Sequence, residues 1–128
     1  MATMVKKGYT AIAKSWRAIA WKGRRADKNR VRITPGTVGI VVGTSHSKNY
    51  RWCRADIGGV IHTLHPWDWD FTPVRVGELR RWKDDRSGPF LVTKIESMAS
   101  CACLCDGNPF GTSCAYIEAH SVVISESR

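Results

Sequence analysis

The sequence predicts a mostly β protein, two small antiparallel barrels in tandem behind a basic N-terminal segment that is helical or extended. Three observations carry this reading. Short runs of β-branched and aromatic residues alternate with Pro, Gly, Asn and Asp turn signals every several residues. The same order of runs and turns occurs twice, once before and once after Thr72-Pro73. The charge is asymmetric: residues 1–34 hold ten Lys/Arg and a single acid, Asp27, for a net +9, while the remaining residues balance to zero. These features divide the chain into a basic segment over 1–30, a first barrel over 31–73 and a second over 74–128.

Taken in order, residues 9–22 (YTAIAKSWRAIAWK) place Ile12, Trp16 and Ile19 on one face of a helix, with Lys14 and Arg17 largely off it, which predicts a short helix or helical turn. Residues 22–30 (KGRRADKNR) have no apolar periodicity and read as an exposed loop. Val31-Arg32-Ile33 alternates as a strand, Thr34-Pro35-Gly36 is a turn, and Val38 to Val42 is a β-branched run. Ser45 to Asn49 is polar and turn-like. Tyr50 to Ile57 and Val60 to Leu64 are strands joined at Gly58-Gly59, and His65 to Phe71 is a helical turn leading into a closing strand.

The second half repeats that order. Val76 to Trp82 is a strand, Lys83 to Gly88 a charged loop, and Phe90 to Ile95 a strand closed by a turn at Glu96 to Ala99. Cys101 to Cys105 and Phe110 to Cys114 are strands about Asp106-Gly107, Tyr116 to His120 is a turn, and Val122 to Ile124 is the last strand. Side-chain identity between the halves is low, so the repeat is one of pattern. Two barrels of roughly 50 residues packed together compensate for the small core of each.

The second half resembles the small SH3-like barrels common in bacteriophage proteins. Val76-Gly77-Glu78-Leu79 is similar to their "V-G-D-L-V" opening, Leu91-Val92-Thr93-Lys94-Ile95 to a "G-I-V-T-E-I" strand, Leu104-Cys105-Asp106-Gly107 to a "V-L-F-D-G" hairpin and Val122-Val123-Ile124-Ser125 to an "L-E-V-I-S" ending. Arg80, Arg81 and the cysteines depart from that pattern. The first half resembles KOW-type barrels through Ile33-Thr34-Pro35-Gly36-Thr37-Val38-Gly39-Ile40-Val41, similar to a "G-x-x-G-x-V" core, and through Asp70-Phe71. The resemblance covers most of residues 31–128 and implies a fold more than a function, since such barrels bind RNA, DNA, peptides or neighbouring subunits.

The basic segment is the strongest functional signal. Concentrated charge attracts phosphates, whereas diffuse charge mainly aids solubility. Lys14, Arg17, Lys22, Arg24, Arg25, Lys28, Arg30 and Arg32 are the expected nucleic-acid-binding residues, with Trp16 and Trp21 offered for base stacking. The competing reading places both tryptophans in the core, the commoner fate of an aromatic side chain.

The cysteines give no metal or redox motif. The chain starts without a secretory h-region, and its five cysteines are an odd number, so reduced thiols in a cytosolic compartment are expected. The basic, acid-poor start also fits an organellar transit peptide, against which stand its low Ser content and its direct run into strand-like sequence. Strand alternation puts Cys101, Cys103 and Cys105 in a row about 7 Å apart. Such a row does not converge on a tetrahedral zinc ion, even with Cys114 and His120 at hand, and the usual C-x₂-C turn is absent. A disulfide from Cys103 or Cys105 to Cys114 is disfavoured by the same compartment argument. His62, His65, Asp68 and Asp70 lie close in sequence but on a strand end and turn, so a metal or acid–base role is not expected. No phosphate-binding glycine loop, nucleophile elbow or zinc-protease motif is present.

The expectation is therefore a non-enzyme without cofactor: a phage-type nucleic-acid-associated binding protein. The alternative is a virion structural component of head, neck or tail, whose basic segment docks on an acidic neighbouring subunit. The expected partners are nucleic acid or another polyanionic surface, or neighbouring virion subunits, with no membrane. The expected location is host cytoplasm or virion.

Overall fold

The computed structural model describes residues 5–14, 18–23, 26–46, 51–65, 68–84 and 87–126. The chain separates into two compact units, Met1–Phe71 and Thr72–Arg128. It is mostly β, with a single α-helix among the described residues.

Seven strands make the first sheet: β1 (Thr10–Ala13), β2 (Ile19–Lys22), β3 (Arg30–Arg32), β4 (Val38–His46), β5 (Arg51–Ile57), β6 (Val60–Leu64) and β7 (Trp69–Thr72). Their spatial order is β3-β2-β6-β5-β4-β1-β7. The β5–β6 hairpin turns on Gly58 and Gly59, both at positive φ (61° and 87°). Two consecutive left-handed residues match the twist of the flanking strands, and glycine adopts them without strain. The Asp56 carboxylate steadies the turn by accepting from the Gly59 N–H at 2.8 Å.

The helix expected over residues 9–22 is not formed: the described part of that span is β1 and β2. All four residues of β1 are buried, so the run has no polar face, and a short apolar run does not distinguish strand from helix by periodicity. Pairing decides, with Thr10, Ala11 and Ile12 lying opposite Ile40, Gly39 and Val38. The exposed loop expected over 22–30 is shorter than drawn. Lys22 closes β2, Asp27–Asn29 forms one 3-10 turn, and Arg30 opens β3. The polar turn expected over 45–49 falls partly within β4, and residues 47–50 lie outside the described residues.

The second sheet holds β8 (Glu78–Trp82), β9 (Phe90–Ser97), β10 (Ser100–Cys105), β11 (Asn108–Thr112) and β12 (Ser121–Glu126), ordered β11-β10-β9-β8-β12. Helix α1 (Cys114–His120) precedes the last strand, and the Ser113 side chain caps it by accepting from the Tyr116 N–H. It occupies the place of the expected Tyr116–His120 turn and takes in Cys114, which was expected in a strand. The second hairpin turns on Asp106 and Gly107, again both at positive φ (51° and 77°).

The two sheets share a strand order. Within the first, β7-β1-β4-β5-β6 runs last–first–second–third–fourth, and within the second β12-β8-β9-β10-β11 does the same. β1 is thus the counterpart of β8, and the β2–β3 excursion leaves after β1 and extends the sheet beyond β6. Both ladders are open, edged by β3 and β7 in one case and by β11 and β12 in the other.

The interiors differ. The first unit packs Ala11, Ala13, Ala18, Ala20 and Ala55 around Val41, Leu64 and Trp69. The second buries Phe90, Val92, Ile95 and Ile117, and stacks Trp82 on Phe90 with ring centroids 4.5 Å apart. It also buries an ion pair. Arg80 Nη1 meets Glu78 Oε1 at 2.8 Å, and Arg80 Nε donates to Ser121 Oγ at 2.9 Å, tying β8 to the start of β12. Glu78 Oε1 accepts the Arg75 N–H as well, at 2.7 Å. A buried charge is costly unless paired and hydrogen-bonded, and here both charges are.

Two glycines of β4 separate steric need from mere presence. A Cβ at Gly39 would lie 2.7 Å from Ile57 Cγ1 and 2.8 Å from the Asp56 carbonyl oxygen, whereas one at Gly43 meets nothing within 4 Å. Gly39→Ala is expected to destabilise the protein by about 1–3 kcal/mol through overpacking, and Gly43→Ala to change stability by less than about 0.5 kcal/mol. Urea unfolding of both variants checks this, and equal midpoints would refute the close approach of β4 to β5.

Candidate nucleic-acid interface

Among the described residues, the expected phosphate-binding residues lie on β2, the 3-10 turn and β3, with Lys14 just past β1. Lys22, Lys28, Arg30 and Arg32 are exposed. None of them forms an ion pair among the described residues. Lys14 is exposed at the end of β1, where its Nζ lies 3.7 Å from Asp70 Oδ1. That contact is solvated and weak, and it places one carboxylate against this charge. Arg17, Arg24, Arg25 and Trp16 lie outside the described residues.

Trp21 is 8% exposed. Its ring is packed, and base stacking would require the ring to leave its site. Its neighbours across the ladder are Arg30 on β3 and Thr63 on β6.

Register assigns the remaining charges to faces. Residues directly opposite in antiparallel strands project to the same side. Arg30 lies opposite Trp21, and Arg32 opposite Ile19. Trp21 in turn lies opposite Thr63, and Thr63 opposite Arg54. Arg30, Arg32 and Arg54 therefore share one face of the sheet. Lys22 lies opposite His62 and belongs to the other face. Arg54 is exposed and without an ion pair among the described residues. It was missed because it stands outside the basic segment in sequence, and only strand register brings it to Arg30.

The cysteines require a correction. Cys101 and Cys114 form a disulfide, with Cα atoms 6.0 Å apart, inside the range that such a bond spans. The expectation of five reduced thiols, and of Cys103 or Cys105 as the candidate partner of Cys114, gives way to hairpin register. From the two-residue turn outward, Cys105 pairs with Asn108, Cys103 with Phe110 and Cys101 with Thr112. Cys101 is thus the member of the row nearest Cys114. Cys53, Cys103 and Cys105 are free, the first two buried. Burial pushes the Cys103 thiol from its ordinary 9.0 up to about 11, against the opposing pull of the nearby Arg80 cation. Burial raises Cys53 likewise.

Among the described residues no group of three or more His, Cys, Asp or Glu could hold a metal ion. His62 is buried, its Nδ1 lying 2.9 Å from the Val60 carbonyl. In the second unit a cavity of about 330 Å³ opens between Trp82, Phe110 and Tyr116, with the Cys105 thiol in its wall. Among the described residues its lining carries no acid–base pair. No helix among the described residues is long and apolar enough to cross a membrane.

Thiol counting tests the cysteine arrangement. Under native, non-reducing conditions a thiol reagent is expected to label half-buried Cys105 first. Denaturation should expose the three free thiols, and reduction all five. Five labelled cysteines without reductant would contradict the disulfide. The raised Cys103 pKa also sets a sign. The folded state keeps a proton that the unfolded state loses, so stability should fall as pH rises from about 9 to about 11. Against this geometry, comparisons with protein families, with characterised proteins and with solved structures found nothing that matches the chain.

Proposed function

We propose that the chain is a non-catalytic, phage-type nucleic-acid-associated protein that presents a basic N-terminal segment on a scaffold of two SH3-like units. The observation that carries the reading is a set of exposed cations, Lys22, Lys28, Arg30 and Arg32, with no ion pair among the described residues. Cations without counter-charge, on paired strands and on the 3-10 turn before β3, gain by neutralising phosphates and releasing condensed counterions. The scaffold reading is supported by the strand order common to both sheets and by the helical turn before the last strand of the second. Such a protein would act in the host cytoplasm or in the particle, without cofactor.

A specific observation favours a second reading, a virion structural component. Val122, Val123 and Ile124 are 38%, 41% and 48% exposed on edge strand β12. An apolar edge is a template for pairing with another chain. In that case the basic segment would dock on an acidic neighbouring subunit.

Truncation is the wrong test, because removing residues 1–30 would delete β1 and β2 from the sheet. The full chain should be compared with the quadruple variant Lys22→Gln, Lys28→Gln, Arg30→Gln and Arg32→Gln on nucleic acid from ~50 to ~200 mM salt. The wild type is expected to lose about two orders of magnitude in affinity over that range, if roughly four phosphates are engaged, and each removed charge that faces a bound phosphate to flatten the log–log slope by about 0.9. Binding no stronger than that of a scrambled basic peptide would discard the nucleic-acid reading in favour of the structural one.

A further inference from the structure

Resting on the phosphate-binding reading above, we infer that the binding surface is a face of the first sheet and not the basic segment alone, that Arg54 is part of it, and that its ligand is duplex nucleic acid gripped through phosphates on both sides of a groove.

The sheet supplies the argument. A single cross-strand row runs Arg30–Trp21–Thr63–Arg54–Gly43 over β3, β2, β6, β5 and β4. Two guanidinium-bearing residues stand in this row with three strand spacings between them, about 14 Å at the backbone. Arg32 lies two residues along β3 from Arg30, about 7 Å away on the same side. All three arginines are exposed. The row is open beyond Arg54, because Gly43 has no side chain and a Cβ placed there meets nothing within 4 Å. The acid nearest to Arg54 along β5, Asp56, already accepts from the Gly59 N–H at 2.8 Å.

The floor between the arginines reads no bases. The Trp21 ring is 8% exposed, and the Thr63 hydroxyl already donates to the Gly23 carbonyl. Binding of a single strand relies on aromatic side chains on which bases stack. Trp21 and Thr63, the two residues between the arginines in this row, offer neither an exposed ring nor a free hydroxyl proton. What the face presents is cations on either side of two buried residues, about 14 Å apart at the backbone, and a duplex supplies the matching pattern: two phosphate rails flanking a major groove about 12 Å wide. Recognition through phosphates alone fixes position on the duplex and carries no sequence preference.

Gly43 gives a test that leaves the basic segment untouched. Gly43→Glu sets a carboxylate beside Arg54 at a position with room for it, and Arg54→Gln removes the cation. Both are measured as full chains against a 25-base-pair DNA duplex and one of its strands at ~100 mM salt, with Lys94→Gln in the second unit as control. The proposal expects wild type to prefer duplex over single strand. It expects Arg54→Gln to weaken duplex binding about 3- to 10-fold and to lower the salt slope by about one. Gly43→Glu should weaken binding more than Arg54→Gln, and Lys94→Gln should leave it unchanged. Wild-type binding with Gly43→Glu and Arg54→Gln both unaffected would overturn the face while leaving the phosphate-binding reading intact. Equal or tighter binding to the single strand would overturn the duplex assignment. Absence of binding by the wild type to either DNA would overturn both readings together.

Discussion

Thr10–Ala13 is buried along its whole length, with Ala11 fully inaccessible and Ile12 1% exposed. A buried backbone must find partners for its N–H and C=O groups. Here they come from β4 on one side and β7 on the other. The Ala13 N–H donates to the Thr37 carbonyl at 2.9 Å and the Lys14 N–H to the Asp68 carbonyl at 3.0 Å. This interior strand is the constraint on which the first unit depends. It joins the start of the chain to the strand that closes the unit, and it makes β2 and β3 an excursion that must return to β4. Of the basic residues carried on that excursion, Lys22, Arg30 and Arg32 are displayed from paired strands at set spacing.

The two halves solve one topology with different interiors. Small alanines in the first allow close packing around Trp69, while the second is filled by aromatic rings, a buried Arg80–Glu78 pair and the Cys101–Cys114 bond. A strand order tolerates wide exchange of core side chains if volume and patterning are kept. Low identity between halves is the natural result, and it is also why strand order says little about activity. The first sheet exposes Arg30, Arg32 and Arg54 beside apolar residues such as Val60 and Ile61, and the second exposes Val122, Val123 and Ile124 on its edge strand.

Local signals made part of this legible. The hairpins at Gly58-Gly59 and Asp106-Gly107 announce themselves by turn residues, and the long strands from Val38 and Phe90 by β-branched runs. The strand Thr10–Ala13 is too short and too uniformly apolar to show a period, and its equivalence to Glu78–Trp82 lies in pairing alone. The basic segment was legible as charge, but its display was not. Trp21 was offered for stacking because it stands among cations in sequence, and no local signal marks its burial. Arg54 went unnoticed for the complementary reason: its cationic neighbours are three strands away in space and more than twenty residues away in sequence. Counting outward from Asp106-Gly107 would have directed Cys101, rather than Cys103 or Cys105, toward Cys114.

The most direct test of the account is hydrogen exchange of the backbone amides in Thr10–Ala13 and Ile19–Lys22, followed beside those of Arg51–Ile57. If the basic segment is built into the sheet, these amides exchange only through openings comparable to those of the central strand, and their protection falls together with it as denaturant is added. Exchange of the two N-terminal stretches at the rate of an unstructured chain, while Arg51–Ile57 stays protected, would contradict the account. The cations would then belong to a free tail, with no face and no fixed spacing.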